Sequence, residues 1–154
     1  MKVLAIDPGA VSGAYAFFPE MGLLPVVGDL PVVDGQLDGA HFGHMVRHWL
    51  PDAAIVERVA SMPKQGVAST FKFGMAVGII HGVLLGGRVP LHLVTPGVWK
   101  KHFKLTGTDK DAARALAIRL YPALQGLSRK KDQGRADALL IGDWFLFMWK
   151  ARQS

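Results

Sequence analysis

The chain has 154 residues, half of them apolar, and a formal net charge of +6. This length and composition suit one folded domain, residues 1–154, and argue against disorder. The absence of cysteine excludes disulfides, thiolate metal sites and thiol catalysis, and it fits a reducing compartment.

We expect neither a signal peptide nor a membrane partner. Asp7 interrupts the N-terminal apolar run after four residues, too soon for a signal-peptide core. The longest weakly charged stretch, 73–87, contains His81 and is too short to cross a bilayer. The sequence therefore predicts a cytoplasmic protein.

Charge is spread unevenly along the chain. Residues 1–98 carry six Lys/Arg and seven Asp/Glu, whereas residues 99–154 carry twelve Lys/Arg and five Asp. A basic half favours a polyanionic partner such as a nucleic acid, and the alternative is a merely soluble basic surface.

The first half of the chain predicts strands before its first helix. Residues 2–6 predict a buried strand that ends at Asp7, followed by a Pro-Gly turn. Further strands are expected at 13–18 and at 26–33, the latter broken or placed at an edge by Pro31. Asp38 can cap a helix to about Leu50, and residues 53–57 predict a strand that ends in Glu57.

The second half predicts four helices and one short strand. Ser69 can cap a helix to about Leu85, and residues 91–94 predict a strand. Further helices are expected from Pro96 to 103, from 108–111 to about 121, and from about 136 to 149. This order predicts an α/β fold: a mixed sheet of antiparallel hairpin strands and parallel strands, flanked by helices.

Two of the predicted strands end in an acid, Asp7 and Glu57. The carboxyl ends of neighbouring parallel strands meet at one sheet edge, and an unpaired carboxylate there needs a compensating cation. Asp137 leads the apolar stripe of the last helix and points toward the sheet, although an acid in a first helical turn also suits the helix dipole.

Three carboxylates without a His or Cys partner suit Mg²⁺ or Mn²⁺. A carboxylate-held metal pair can hydrolyse a phosphodiester. Asp132, five residues before Asp137, is the first candidate for a fourth ligand, and Asp143 is the second. The predicted metal ligands are therefore Asp7, Glu57, Asp132 and Asp137.

Five motifs occur in a characteristic order. They are Ala-Ile-Asp7-Pro-Gly-Ala-Val-Ser-Gly; Ile-Val-Glu57-Arg with Ser-Thr-Phe-Lys-Phe-Gly-Met-Ala-Val-Gly; Val-Thr-Pro-Gly-Val-Trp-Lys100-Lys; Thr-Asp-Lys110-Asp-Ala-Ala; and Arg-Ala-Asp137-Ala-Leu-Leu-Ile. With this set the chain resembles the RuvC-type Holliday junction resolvases of the RNase H-like superfamily, most closely the small versions of phages and prophages.

The resemblance implies a five-stranded RNase H-like sheet and a homodimer that cuts four-way DNA junctions with Mg²⁺ or Mn²⁺. It implies a bacterial or phage-infected cytoplasm, metal ligation by Asp7, Glu57 and Asp137, and an active-site or DNA-binding role for Lys100 and Lys110. Asp132 and Lys110 complete the predicted catalytic set. The basic residues predicted to contact DNA are Lys64, Lys72, Lys100, Lys101, Lys104, Lys110, Arg129, Lys130, Lys131 and Arg135.

Two features depart from the family pattern. The cellular members carry an acid or His three residues before the last Asp, where this chain has Gly134. They also place an aromatic wedge shortly after the second-strand acid. Here the nearest apolar residues are Val59, Met62, Phe71 and Phe73, and none is a clear match.

Gly74, Gly78, Gly82 and Gly86 recur every four residues along one predicted helix. Glycine costs about 1 kcal/mol at an interior helical position, so such a row indicates close approach of another element. The element is either the domain's own sheet or a second copy of the chain.

Three alternatives remain at this point. An RNase H-like nuclease on RNA, a flap or a three-way junction would carry the same carboxylates. A junction-binding module with weakened catalysis would explain Gly134. Actin-like kinases share the topology but need two such domains, and the chain has no Walker-type loop, so we expect no nucleotide cofactor.

Overall fold

The computed structural model describes residues 1–11, 13–20, 22–60 and 64–154. The strands are β1 (Val3–Pro8), β2 (Gly13–Phe18), β3 (Val26–Asp29), β4 (Val32–Val33), β5 (Gln36–Leu37), β6 (Ala53–Glu57) and β7 (Leu91–Val94). Five of them form one sheet in the order β3-β2-β1-β6-β7, and β4 and β5 form a separate two-stranded ladder.

The centre of the sheet is β1. It pairs antiparallel with β2, with Asp7 opposite Ala14, and parallel with β6, with Ile6 opposite Val56. The parallel β6–β7 pair continues the sheet and sets Glu57 opposite Val94. In the parallel β1–β6 pair, Asp7 and Glu57 thus each come one residue after the last paired position, where Ile6 lies opposite Val56.

The helices are α1 (Gly39–Trp49), α2 (Val67–Gly86), α3 (Pro96–His102), α4 (Ala112–Leu120) and α5 (Gln133–Gln153), with a 3₁₀ turn at Lys130–Asp132. Helices α1 and α2 cover one face of the sheet, and α3, α4 and α5 cover the other. Because side chains alternate along a strand, Val3 and Ala5 pack toward α5, whereas Leu4 and Ile6 pack toward α1 and α2.

The same alternation decides where the two strand-end acids point. Asp7 continues the row of Val3 and Ala5, and Glu57 continues the row of Ala53 and Ile55, which belong to the α5-side core. Both carboxylates therefore lie on the face that α5 covers.

Glycine lets α5 approach this face closely. A Cβ on Gly142 would lie 2.1 Å from Cε2 of the Phe18 ring, so only a residue without a side chain fits there. Gly13 has a positive φ of 86°, and a Cβ there would lie 2.6 Å from the Asp7 carbonyl oxygen. The turn after Asp7 therefore requires glycine.

The predicted fold class is confirmed, and most of its elements lie where the sequence places them. The predicted strand at 26–33 is in fact two strands in different sheets, because Pro31 interrupts it. Helix α2 begins at Val67 after Gly66, not at a Ser69 cap. Helix α5 begins at Gln133, so Gly134 and Arg135 belong to its first turn.

Helix α2, at 67–86, begins six residues before the weakly charged stretch at 73–87. With 20 residues and a mean hydropathy of 1.5 over its best window, it is long and apolar enough to cross a membrane by length and composition alone. The prediction that no stretch reaches that length is wrong, because the helix includes residues 67–72 and keeps Lys72 and His81 within it. The absence of a membrane partner stays a prediction.

Candidate active site

Three elements that are far apart in sequence bring the predicted carboxylates together. Asp7 comes from β1, Glu57 from the end of β6, and Asp137 from the first turns of α5. All three side chains are half-buried. The charges of Glu57 and Asp137 both act on Asp7, and that of Glu57 acts on Asp137.

The electrostatics of the three acids are unfavourable for charge. Burial, reinforced by Glu57 and Asp137, raises the pKa of Asp7 to about 8. Burial and the Glu57 charge raise the pKa of Asp137 to about 7, and burial also raises the pKa of Glu57. Carboxyls with such pKa values hold an unbalanced negative potential when ionised, which an added cation would relieve.

Among the described residues, Lys100 is the cation whose charge acts on all three acids. Its charge lowers the pKa of Asp7, Glu57 and Asp137 against the effect of burial. It comes from the last turn of α3, and its ammonium nitrogen lies 5.4 Å from the centre of the Trp99 ring. One lysine offsets only part of three negative charges, so the site stays deficient in positive charge.

Trp99 makes a direct contact with the site. Its indole Nε1–H donates a hydrogen bond of 2.6 Å to Oε2 of Glu57. The Trp99 side chain has no exposed surface. Trp99 is not among the residues that the sequence predicts for the site, because 42 positions separate it from Glu57 and no local pattern links them.

A polar cavity of about 200 Å³ opens beside Asp137. Lys100 and Lys110 both line it, so the two lysines implied by the resemblance do share one space with a predicted catalytic acid. Asp109 and Gln133 line the same cavity, and neither is among the site residues that the sequence predicts.

Asp132 lies in a different environment from the other three acids. Its side chain is 1% exposed, and Arg129 donates to both of its oxygens, at 2.7 Å from Nη2 to Oδ1 and 3.2 Å from Nε to Oδ2. Arg135 Nη1 lies 3.6 Å from Oδ1. The hydrogen bonds from Arg129 lower the pKa of Asp132 to about 2.

The charge of Asp132 is therefore already balanced within the protein. Asp132 also stabilises the local backbone, since its Oδ2 accepts a hydrogen bond from the Arg129 backbone N–H at 2.8 Å. These contacts do not support metal ligation by Asp132, which stays a prediction.

Gly134 faces the carboxylate site. A Cβ built there would lie 3.6 Å from Oδ2 of Asp7 and 3.4 Å from the Cβ of Ala14, which is ordinary van der Waals contact. Position 134, three residues before Asp137, thus faces Asp7, and glycine gives it no side chain.

The residues fit a divalent cation by donor chemistry and charge. Three half-buried carboxylates offer hard oxygen donors of the kind that Mg²⁺ and Mn²⁺ prefer. Within the described residues, however, no three acidic or histidine side chains stand close enough together to hold one ion as placed. The fit is one of donor type and unbalanced charge, and not of a preformed cage.

Comparison with known proteins addresses the fold directly. No protein-family profile matches the chain. The structure superposes on RuvC of Thermus thermophilus with a TM-score of 0.68 and 19% identity, covering 96% of each chain. It superposes on the Fowlpox virus resolvase, solved with Holliday junction DNA, with a TM-score of 0.64 and 14% identity, covering 97% and 99%.

The chain has the RuvC fold. The resemblance inferred from the motifs is therefore confirmed at the level of the RNase H-like architecture. In sequence, 93 residues are 37% identical to the chloroplastic Holliday junction resolvase MOC1 of Chlamydomonas reinhardtii. That alignment spans 59% of this chain but only 10% of the algal protein.

On this RuvC fold, the predicted DNA-contacting residues divide into exposed and engaged side chains. Arg135 donates to Asp29 from Nε at 2.9 Å and from Nη2 at 3.1 Å, and its side chain is 17% exposed. A contact between Arg135 and DNA would compete with this internal ion pair, and it stays a prediction. The exposed lysines among these residues are Lys64, Lys101, Lys104, Lys110, Lys130 and Lys131, and Lys72 and Lys100 are half-buried. Arg129 is exposed but is engaged with Asp132.

The glycine row of α2 is open. Among the described residues, nothing lies within 4 Å of a Cβ built on Gly74, Gly78, Gly82 or Gly86. Packing of this row on the domain's own sheet, one of the two alternatives, is therefore wrong. The sheet is contacted by the opposite side of α2, where Ala76, Ile80 and Leu84 are buried.

The wedge candidates differ in exposure. Phe71, in the second turn of α2, is 69% exposed, whereas Val59 and Phe73 are half-buried. Met62 lies outside the described residues. Phe71 is thus the described candidate with an aromatic surface most available to a partner.

Proposed function

We propose that this protein is a divalent-metal-dependent endonuclease that cleaves four-way DNA junctions. The observation that carries the proposal is the convergence of Asp7, Glu57 and Asp137, three half-buried carboxylates from separate elements, on the α5-covered face of a RuvC fold. The 37% identity with a chloroplastic Holliday junction resolvase supports the substrate class.

Each side chain has a role in this proposal. Asp7, Glu57 and Asp137 would hold the cation, which would supply an activated water and stabilisation of the leaving oxygen of the phosphodiester. Lys100 limits the repulsion among the acids before DNA arrives. Lys110, exposed where the polar cavity opens, contacts the phosphate next to the scissile bond.

The exposed lysines after residue 99 form the proposed DNA surface. Lys101 and Lys104 follow the active-site Lys100, and Lys130 and Lys131 precede α5. Contacts to phosphate position a nucleic acid without reading its sequence, which suits an enzyme that recognises the shape of a junction. Binding should weaken steeply with salt.

Helix α2 is the proposed dimer interface. Its open glycine row lies among exposed apolar side chains, with Phe71 at 69% and Leu85 at 60% exposure. A second α2 packed along the row would bury this surface at short interhelical distance. A two-fold dimer would also place two carboxylate sites at the two symmetric strands of a junction.

Light scattering tests this interface. Gly78→Leu fills the row and should shift a dimer toward monomer at micromolar concentration, whereas Ala115→Leu, on an exposed position of α4, should leave the mass unchanged. A wild-type monomer that stays a monomer on adding junction DNA would contradict the proposed seam.

The function itself is tested with a panel of four-way, three-way, flap, duplex and RNA–DNA hybrid substrates in Mg²⁺, Mn²⁺ or EDTA. We expect paired nicks in the four-way junction with either metal and none in EDTA. Asp7→Asn should bind the junction and leave it uncut. Preferential cleavage of the hybrid or the flap would instead support the second nuclease class.

Two observations favour a second candidate function. Gly134 supplies no fourth ligand, and no three of the described acids lie close enough together to hold one ion. Both features are expected of a junction-binding module with weakened catalysis. Such a protein would bind the four-way junction tightly in EDTA and in Mn²⁺ and would leave it intact in both.

A further inference from the structure

We infer that Trp99 is a positioning residue for metal binding: its buried indole N–H holds one oxygen of Glu57 and leaves the other oxygen and the full negative charge for the cation. This inference rests on the proposed function, since it deepens the role of the same carboxylates.

The first argument is conformational. Glu57 has one more rotatable side-chain bond than the two aspartates of the site, so its carboxylate needs a separate restraint. Trp99 supplies one through the 2.6 Å bond from Nε1 to Oε2. The indole is itself immobile, because it has no exposed surface and packs in the same core as Ile55 and Leu139.

The backbone around the pair is restrained as well. Glu57 stands opposite Val94 in the β6–β7 ladder, and the N–H of Arg58 donates to the Val94 carbonyl at 2.7 Å. Helix α3 begins two residues after Val94, so the distance from strand to indole is set by a short connection. Donor and acceptor are thus held by adjoining parts of one rigid unit.

The second argument concerns charge. A guanidinium on Glu57 would neutralise it, as Arg129 does for Asp132. An indole N–H is neutral, so it orders the carboxylate without competing with a cation for its charge. Its single bond is made to Oε2, so Oε1 would stay free of this contact for a cation.

The experiment measures binding of Mn²⁺ alone, by the loss of the free-ion electron paramagnetic resonance signal, to the wild type and to Trp99→Phe. We expect about 10- to 100-fold weaker Mn²⁺ binding in Trp99→Phe, the usual effect of removing a partner of a metal ligand. Junction binding in EDTA should be unchanged, because no DNA-facing charge is removed.

The matched control is Trp144→Phe, the same replacement at a partly buried tryptophan of the same core. It should keep Mn²⁺ affinity within about twofold, far below the change expected for a lost ligand partner. Thermal unfolding of both variants in EDTA separates loss of packing from loss of metal binding. Wild-type Mn²⁺ affinity in a folded Trp99→Phe protein would overturn the inference.

A double-variant test asks whether Trp99 acts through Glu57. In a Glu57→Ala background, Trp99→Phe should weaken Mn²⁺ binding no further. The same fold loss in both backgrounds would overturn the inference, because it would show an effect independent of Glu57.

A third measurement uses the wild-type fold and does not depend on the stability of Trp99→Phe. Of the four indole N–H signals in a ¹H–¹⁵N spectrum, that of Trp99 should be the one most displaced by Glu57→Ala, which identifies it. We expect this signal to move on addition of Mg²⁺, and its staying in place while Mg²⁺ binds would overturn the inference. Failure of the wild type to bind Mn²⁺ or to cut any substrate would instead count against the proposed function.

Discussion

Asp132 and Asp137 lie five residues apart around the start of α5, and the protein treats them in opposite ways. The pKa of Asp132 falls to about 2, because Arg129 donates to both of its oxygens. The pKa of Asp137 rises to about 7, because it is buried near Glu57 with Lys100 as a partial counter-charge. The same residue type forms a stabilising ion pair at one position and carries an incompletely balanced charge at the other.

The difference lies in the partners. Asp132 is less exposed than Asp137, yet its pKa is the lower one, so hydrogen bonds to a cation outweigh desolvation there. Where the fold needs an acid for its own stability, it provides the cation. At the carboxylate site Lys100 balances the acids only in part, and the proposed metal would supply the remaining positive charge.

The largest expected effect is a difference in junction cleavage rate between variants of Asp137 and Asp132. Asp137→Asn should lower junction cleavage at saturating Mn²⁺ by more than about 100-fold, since losing a ligand costs more than losing a ligand's partner. Asp132→Asn should cut within a few-fold of wild type. Single-turnover cleavage rates measure both, and equal losses would return Asp132 to the metal site.

Folding stability should show the reverse order. Asp132→Asn removes charge-assisted bonds from a buried acid and should lower the free energy of unfolding by about 2 kcal/mol. Asp137→Asn removes a buried charge with incomplete compensation and should raise the melting temperature in EDTA at pH 8. Urea and thermal unfolding test the pair, and a destabilised Asp137→Asn would break the contrast.

The pH dependence of stability follows from the raised pKa values. Burial raises the pKa of Asp7 from its ordinary value of 3.8 to about 8 in the folded state, so between those values the folded protein binds more protons than the unfolded chain. Stability in EDTA should therefore fall as the pH rises from about 4 to about 8.

The Asp7→Asn variant is the check on this slope. It should flatten the decline, because the asparagine does not titrate, and Mn²⁺ should flatten it in the wild type by balancing the charge. A melting temperature that rises over the same pH range in EDTA would contradict the assignment of buried, uncompensated acids.

The smallest effect is expected at Gly134. Gly134→Ala meets only ordinary contacts with Ala14 and Asp7 and should stabilise the helix by up to about 1 kcal/mol. Gly134→Asp adds a carboxylate beside Asp7 and should tighten Mn²⁺ binding while lowering stability in EDTA relative to Gly134→Ala. Calorimetric titration compares the two, and equal affinities would show that the position does not reach the ion.

Much of the fold could be predicted because its signals are local. Alternation and flanking turn residues placed the strands at 13–18, 53–57 and 91–94 with the bounds seen in the structure. The predicted strand at 26–33 divides at Pro31, where the chain leaves the main sheet for a separate two-stranded ladder. Proline indicated a break there, but which sheet each half joins depends on contacts with residues elsewhere.

The site was predictable to the same degree. Asp7 and Glu57 were identifiable because each ends an apolar strand, and a two-residue period sends both to one face. The pairing of Asp29 with Arg135 spans 106 positions, and that of Glu57 with Trp99 spans 42. No local pattern encodes such pairs, so the sequence did not distinguish an arginine free for DNA from one already engaged.

The sequence by itself determined which acids stand at strand ends, which helix faces are apolar, and that the glycines of α2 form one row. Those properties depend on side-chain periodicity, which is local. Only the tertiary structure decided that the row is open, that Asp132 is neutralised by arginine, and that an indole holds Glu57. These follow from how α3 and α5 seat on the sheet, where long-range packing and electrostatics choose each partner.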